Sequence, residues 1–218
     1  MQSEEFGRKA ARAFGNVSQL EVAGVKLRDV VLRNIQTDFK SETAHLTSHL
    51  LTFSVTGKEE ILGQDEKTFL NSVSLLCEVF EQMRLADGTV INVLAVPILE
   101  YCDLLLSSQS EEALSLLGRQ LHVIGEEVQR SKPDKFTDFL LRVRGLVVSD
   151  SVSSVSRCVL LHLLECHLLR WPSLLPDKTG EWYSTTLGDR VLTRKPGLAA
   201  PPSTTRSNGH SRTKEVRD

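Results

Sequence analysis

Residues 65–85 read DEKTFLNSVSLLCEVFEQMRL. Within this stretch Phe69, Val73, Leu76, Phe80 and Met83 recur at alternating steps of four and three, which sets them along one face of an α-helix. A face of that kind has to be buried. The device returns downstream with Ile91, Leu94, Ile98, Cys102 and Leu105, then with Leu114, Leu117, Leu121, Ile124 and Val128, then with Phe136, Phe139, Leu140, Val143 and Val147. In Ser151–Arg170 leucines and valines occupy nearly every direction around the helix, which predicts a central core helix enclosed on most sides. Short polar turns join these segments, so sequence neighbours are expected to pack antiparallel. The expected fold class is all-α.

Composition agrees. A chain of 218 residues, 40% hydrophobic and 25% charged, is long enough for one domain with a sizeable core and an unstructured tail. Aromatic residues make up only 6%, and glycines fall mostly at segment ends, which favours leucine-packed helices over a β-sandwich or barrel. No apolar run approaches the roughly 20 residues needed to cross a bilayer, and Met1–Arg12 lacks the apolar centre of a signal peptide. The expectation is a soluble, intracellular protein with no membrane partner. Cys77, Cys102, Cys158 and Cys166 all lie in helical apolar patterns, where thiols rather than disulfides are expected. Asn16-Val17-Ser18 matches the glycosylation acceptor pattern, which has no meaning outside the secretory pathway, and is discounted. Asp189–Asp218 holds seven Lys/Arg against three Asp/Glu, so the rest of a chain of net charge −2 is mildly acidic. A mildly acidic body is not built mainly to grip a phosphate backbone.

These patterns divide the chain into a helical extension over 1–21, a helical-repeat domain over 22–188 and a basic tail over 189–218. Ser3–Phe14 and Val22–Phe39 each suit a helix, the second with Leu27, Val31 and Ile35 on one side. Ser41–Gln64 is diluted by threonines and Gly57 and reads as a mobile connection or a distorted helix. Asp87-Gly88 should stop the first strong helix, Ser108 with Glu111 forms a capping box, and Asp150 or Ser151 suits the cap of the last long helix. Pro133 fits a first helical turn, with Asp134 beside the positive end of the helix dipole. Pro97, inside an apolar helical pattern, is expected to kink it. After Trp171-Pro172 the periodicity ends, and the proline-, serine- and threonine-rich stretch from Thr193 is expected to be disordered.

Chemistry is sparse. Cys158, His162 and Cys166, each four apart, lie on one arc of a helix with Glu165 and His167 beside them. Structural zinc sites usually draw ligands from more than one segment, so the favoured reading is a buried stripe with one hydrogen-bonded histidine, no metal and no cofactor. Buried cysteines make poor nucleophiles, and the adjacent acid pairs Glu59-Glu60, Glu111-Glu112 and Glu126-Glu127 point about 100° apart on a helix. Gly118 and Gly125 form no phosphate loop and are read as places of close helix approach. No enzymatic activity is expected. Arg142 and Arg144 bracket an apolar position and, with Arg130, Lys132 and Lys135, make either an exposed basic patch or ordinary solubility charge beside Asp134 and Asp138. Trp171 is expected to close the end of the stack, while Trp182 and Tyr183 suit either packing or an interaction edge.

The segment Phe69-Leu70-Asn71-Ser72-Val73-Ser74-Leu75-Leu76-Cys77-Glu78-Val79-Phe80, followed by Val96-Pro97-Ile98, resembles the middle domain of translation initiation factor 4G. Leu121-His122-Val123-Ile124-Gly125-Glu126 is similar to that family's fifth-helix segment, and Leu160-Leu161-His162-Leu163-Leu164-Glu165 with Arg170-Trp171 to its closing helix. The resemblance runs from about Val22 to Tyr183. It is strongest to the small branches that work with cap-binding complex, stem-loop-binding protein or poly(A)-binding protein. It implies a HEAT-like α-solenoid of antiparallel helix pairs. It also implies a non-enzymatic adaptor that links mRNA-bound proteins, such as cap-binding complex or stem-loop-binding protein, to translation initiation factors.

Binding by such a surface would place a partner's apolar anchor between helix ridges, with charges on the rim. The candidate protein- or RNA-binding residues are Arg119, Arg142 and Arg144 for one rim, and Trp182 and Tyr183 for a second edge. The alternative is a direct RNA-binding module using the basic patch and tail, and a third reading is a homodimer. The cytoplasm is the expected location, with the nucleus as a second compartment.

Overall fold

The computed structural model describes residues 2–18, 20–34, 37, 59–85, 87–172 and 175–188. The basic tail over 189–218 and most of Ser41–Gln64 lie outside the described residues; only 59–64 of that stretch are described, as the first turns of a helix. The helices are α1 (Gln2–Val17), α2 (described over residues 27–34), α3 (Glu59–Gln82), α4 (Ala95–Ser108), α5 (Glu111–Ser131), α6 (Pro133–Val147), α7 (Ser154–Leu168) and α8 (Asp177–Leu187). Among the described residues the protein is all-α apart from a two-stranded hairpin, β1 (Glu21–Val22) and β2 (Val25–Lys26), and an isolated bridge between Arg84 and Val90. That hairpin corrects the expectation of a helix from Val22. Ala23 and Gly24 have φ of 52° and 79°, the left-handed pair of a tight hairpin turn, so the helix starts only at residue 27.

The apolar stripes set the packing. Phe69, Val73, Leu76, Phe80 and Met83 of the first stripe are buried, as are the stripes of α4 and α5 and Phe136, Phe139, Leu140 and Val143 of α6, with Val147 half-buried against them. α3, α5 and α7 pack in a row, with α1 against α3. α4 lies on α3, α5 and α6, α6 lies on α5 and α7, and α8 lies on α7, so successive pairs stack as in a helical-repeat solenoid. α1 crosses α3 closely: a Cβ on Gly15 would sit 2.9 Å from the Gln82 carbonyl oxygen. α7 is less enclosed than its sequence suggests, because Leu161 is 38% exposed and Leu168 lies on the surface, leaving one flank open.

Several boundaries move by a few residues. α5 is capped by Ser110, whose Oγ accepts from the Ala113 amide at 3.1 Å and donates to Glu66 Oε1 of α3 at 2.7 Å. Ser108 instead accepts from the Ser110 amide, because the chain turns through Gln109 at φ 55° before the helix begins. α7 is capped by Ser153, which accepts from the Ser156 amide at 3.1 Å, in place of Asp150 or Ser151. Pro97 does not kink a helix interior: α4 starts at Ala95 after a 3-10 turn, so the missing N–H falls in a first turn that needs none. Pro133 opens α6 as expected, and Asp87 holds the turn after α3 by accepting from the Thr89 amide and hydroxyl. Among the described residues no helix is long and apolar enough to cross a membrane.

Candidate functional site

The basic rim divides on inspection of its partners. Arg142 of α6 reaches across to α4 and donates Nε to Asp103 Oδ1 at 2.9 Å and Nη2 to Asp103 Oδ2 at 2.8 Å. It therefore works first as a clamp between helices, and its fork is already occupied by a carboxylate. Arg130 pairs with Glu126 one turn earlier on α5 at 2.7 Å, which further neutralises the patch. Arg144 is exposed near the end of α6, close enough to His167 for its charge to help hold that imidazole below its ordinary pKa, after burial and before Arg170. Arg119 is half-buried on α5.

The aromatic edge divides as well. Trp182 is 53% exposed on α8, whereas its neighbour Tyr183 is only 4% exposed and stands edge-on to the His162 ring at 4.9 Å. Tyr183 is thus a core residue that seals α8 onto α7, and the candidate edge keeps Trp182 alone. Trp171 packs as expected. The chain leaves α7 through Arg170 and Trp171 at φ 60° and 58°, and the Trp171 amide donates back to the Cys166 carbonyl at 2.7 Å. This reversal lays the indole over Gly125 of α5, with Nε1 donating to Gln129 Oε1 at 2.8 Å and the ring edge-on to Phe136. Gly125 makes room for an aromatic ring, not for a neighbouring helix backbone.

A second cluster lies in the interior between α5 and α7. The stripe Cys158, His162 and Cys166 is buried on α7, but the group that the fold assembles is His122, His162 and Cys166, whose possible ligand atoms all lie within 4.8 Å of one another. Cys158 is not part of it. Cys166 Sγ stands 3.6 Å from His122 Nδ1, and 3.8 and 3.7 Å from His162 Nδ1 and Nε2. The two imidazole rings are 5.5 Å apart between centroids. Burial, with a smaller contribution from His122, pushes His162 down to about 4, and burial, aided by Glu165, pushes the Cys166 thiol up to about 12. At neutral pH His162 is uncharged and Cys166 is a thiol. His122 escapes a reading confined to α7, because it enters from α5, far away along the chain; its signal is a polar residue beside the core position Leu121. All four cysteines are free and buried, and burial raises each thiol's pKa, which leaves them inert as nucleophiles in this state.

Fold and surface together define an all-α helical-repeat protein whose outward features are charged and aromatic side chains on helix ridges. No protein-family model matches the chain. Among curated proteins it is similar to the "CBP80/20-dependent translation initiation factor" of Xenopus tropicalis, with 27% identity over 184 residues, covering 84% of this chain and 29% of that protein. It is also similar to "MIF4G domain-containing protein A" of Danio rerio, with 23% identity over 136 residues, covering 61% of this chain and 62% of that protein. The Xenopus laevis protein of the same name is 20% identical over 191 residues, covering 84% of this chain and 77% of that protein. These relatives bear out the resemblance to the middle domain of translation initiation factor 4G drawn from the helical segments. The chain spans less than a third of the first relative's length and just over three-fifths of the second's.

Proposed function

We propose that this chain is a non-enzymatic adaptor in translation initiation, a helical-repeat surface that links mRNA-bound proteins to initiation factors. The observation that carries the reading is the similarity over 84% of the chain to a protein named as a translation initiation factor, joined to a fold of stacked helix pairs. Such stacks present long ridged surfaces suited to capturing a partner's helix or peptide. Trp182 supplies an exposed aromatic anchor, and Arg144 and Arg119 supply rim charge. The proposed place of action is the cytoplasm.

The test is a pull-down from cell lysate with the full chain and with residues 1–188 as parallel baits, each with and without ribonuclease. Initiation factors or cap-binding proteins recovered after ribonuclease treatment support the adaptor. Partners that vanish with ribonuclease or with the tail overturn it in favour of direct RNA binding, which would also weaken steeply with salt.

A further inference from the structure

The flank that α7 leaves open has an order of its own. Packing claims the other sectors of this helix. Cys158 and Cys166 cluster with Leu175, Tyr183 and Leu187 on the α8 side, where His162 also meets the Tyr183 ring. Leu160 and Leu163 are buried in the main core. Arg157 and His167 reach α6, the first through the Val147 carbonyl and the second through the Phe136 ring. The remaining sector carries Leu161, Leu164 and Leu168, spaced by three and four and so aligned on one stripe. Leu161 is 38% and Leu168 74% exposed, with Leu164 half-buried between them. Single exposed leucines need no explanation, but leucines in register on a helix flanked by two others mark a place where something packs. Leu161 and Leu168 lie two turns apart, about 10 Å along the axis, the interval at which a second helix laid along α7 repeats its own face.

Charge decides what kind of helix this is. Arg157 stands at the start of the stripe, its guanidinium held over the end of α6 by the Val147 and Ser149 carbonyls. Arg144 and Arg170 both act on the His167 imidazole, adding to the effect of its burial, which places two more cations beside the later turns of α7. Against these stands Glu165, half-buried and close enough to Tyr183 to act on its hydroxyl. A basic margin repels the chain's own tail, which holds seven Lys/Arg against three Asp/Glu over 189–218, and favours an acidic guest. Trp182 borders the flank on α8: its ring stands edge-on to Tyr183, and Tyr183 edge-on to His162, the residue after Leu161. We propose that the flank of α7 between α6 and α8 docks an acidic amphipathic helix of a partner protein, its apolar residues seated on Leu161, Leu164 and Leu168 and its carboxylates meeting Arg144 and Arg170. Helix-in-groove capture of this kind reads anchors three and four residues apart. This docking rests on the adaptor reading and gives it a surface and a class of partner.

The test uses the full chain expressed in cells, with the photo-crosslinker p-benzoylphenylalanine in place of Leu161 or Leu168, one at a time. After irradiation the attached peptide is sequenced. Expected is one segment of an initiation factor or mRNA-bound protein, with apolar residues three and four apart and Asp/Glu on its margins. A synthetic copy of that segment should bind the full chain, and a copy with its carboxylates changed to amides should bind several-fold more weakly. Leu161→Ser combined with Leu168→Ser should lower capture of the same partner about tenfold or more, and Arg144→Glu about fivefold. Val93→Ser, 69% exposed just before α4, should leave capture unchanged. If the paired substitution disturbs the helical circular dichroism, Leu168→Ser alone decides, because that side chain lies mostly in solvent. Attachment to a second copy, to residues 189–218 or to a segment without acidic margins overturns the proposal, as does the absence of a crosslink at both positions. Initiation factors captured equally by parent and leucine variants sink this docking and leave the adaptor reading in place. An acidic helix of some other protein crosslinked at position 168, with no initiation factor captured, sinks the adaptor reading and leaves the docking.

Discussion

Gly125 shows how much one missing carbon decides. A Cβ there would overlap the Trp171 ring atoms Cη2, Cζ3 and Cζ2, and the indole cannot retreat easily because Nε1 is bonded to Gln129 and the ring stands against Phe136. Gly125→Ala is therefore expected to destabilise by about 1–3 kcal/mol, although alanine is the better helix former. Adding Trp171→Leu should recover part of that loss, read as non-additivity in urea unfolding; strict additivity would sink the contact as its cause. A second residue-scale expectation concerns pH. His162 is held at about 4 in the folded chain, against about 6.5 unfolded. Between those values the unfolded chain binds a proton that the folded chain refuses. The contribution is complete above pH ~6.5 and is lost as the pH falls toward 4. With solvent screening allowed for, the loss is on the order of 2 kcal/mol. It should appear as a falling urea midpoint, with His162→Gln flattening the slope. An identical slope in the variant would refute the assignment.

At the scale of elements, what the sequence made legible was whatever is local. The spacing of Phe69, Val73, Leu76, Phe80 and Met83 is enough to orient α3, because a helical face is fixed by residues within a few turns. Caps are harder, since residues 107–110 offer three serines and only one adopts the extended φ/ψ of a cap: Ser110, at φ −69° and ψ 148°. Ser110 has a further duty, its hydrogen bond to Glu66, which ties the start of α5 to α3 and depends on tertiary placement. Ser110→Ala is accordingly expected to cost about 1–2 kcal/mol, and Ser108→Ala less than half as much. Comparing their chemical-denaturation midpoints checks this, and equal effects would return the cap to Ser108. The hairpin at Ala23-Gly24 had a turn signal in its glycine, but helical apolar spacing from Leu27 onward outweighed it. His122 illustrates the other limit. Its meeting with His162 and Cys166 is created by α5 lying along α7, and no periodicity within either helix encodes that.

For the molecule as a whole, the adjacent aromatics on α8 divide between core and surface, and the proposed recognition role falls to the surface one. Tyr183 is buried against His162 and belongs to the packing of α8 on α7, whereas Trp182 stands 53% exposed although its ring touches Tyr183 edge-on at 4.9 Å between centroids. An adaptor needs surface residues whose loss harms binding and leaves the fold alone. On that ground Trp182→Ala should leave the unfolding midpoint within about 0.5 kcal/mol of the parent and weaken capture of the proposed initiation-factor partners by about 1–2 kcal/mol, roughly five- to thirtyfold. Tyr183→Ala should behave oppositely, losing about 2–4 kcal/mol of stability through the cavity it leaves. Arg142→Glu would set two carboxylates face to face across α4 and α6 at Asp103, so its effect should also register in stability, while Arg144→Glu changes exposed charge. Measuring the four variants by thermal unfolding and by quantitative pull-down therefore maps the recognition surface. Unchanged capture by both Trp182→Ala and Arg144→Glu, in folded protein, would move the partner-binding surface away from α8 and the end of α6 to another ridge of the stack.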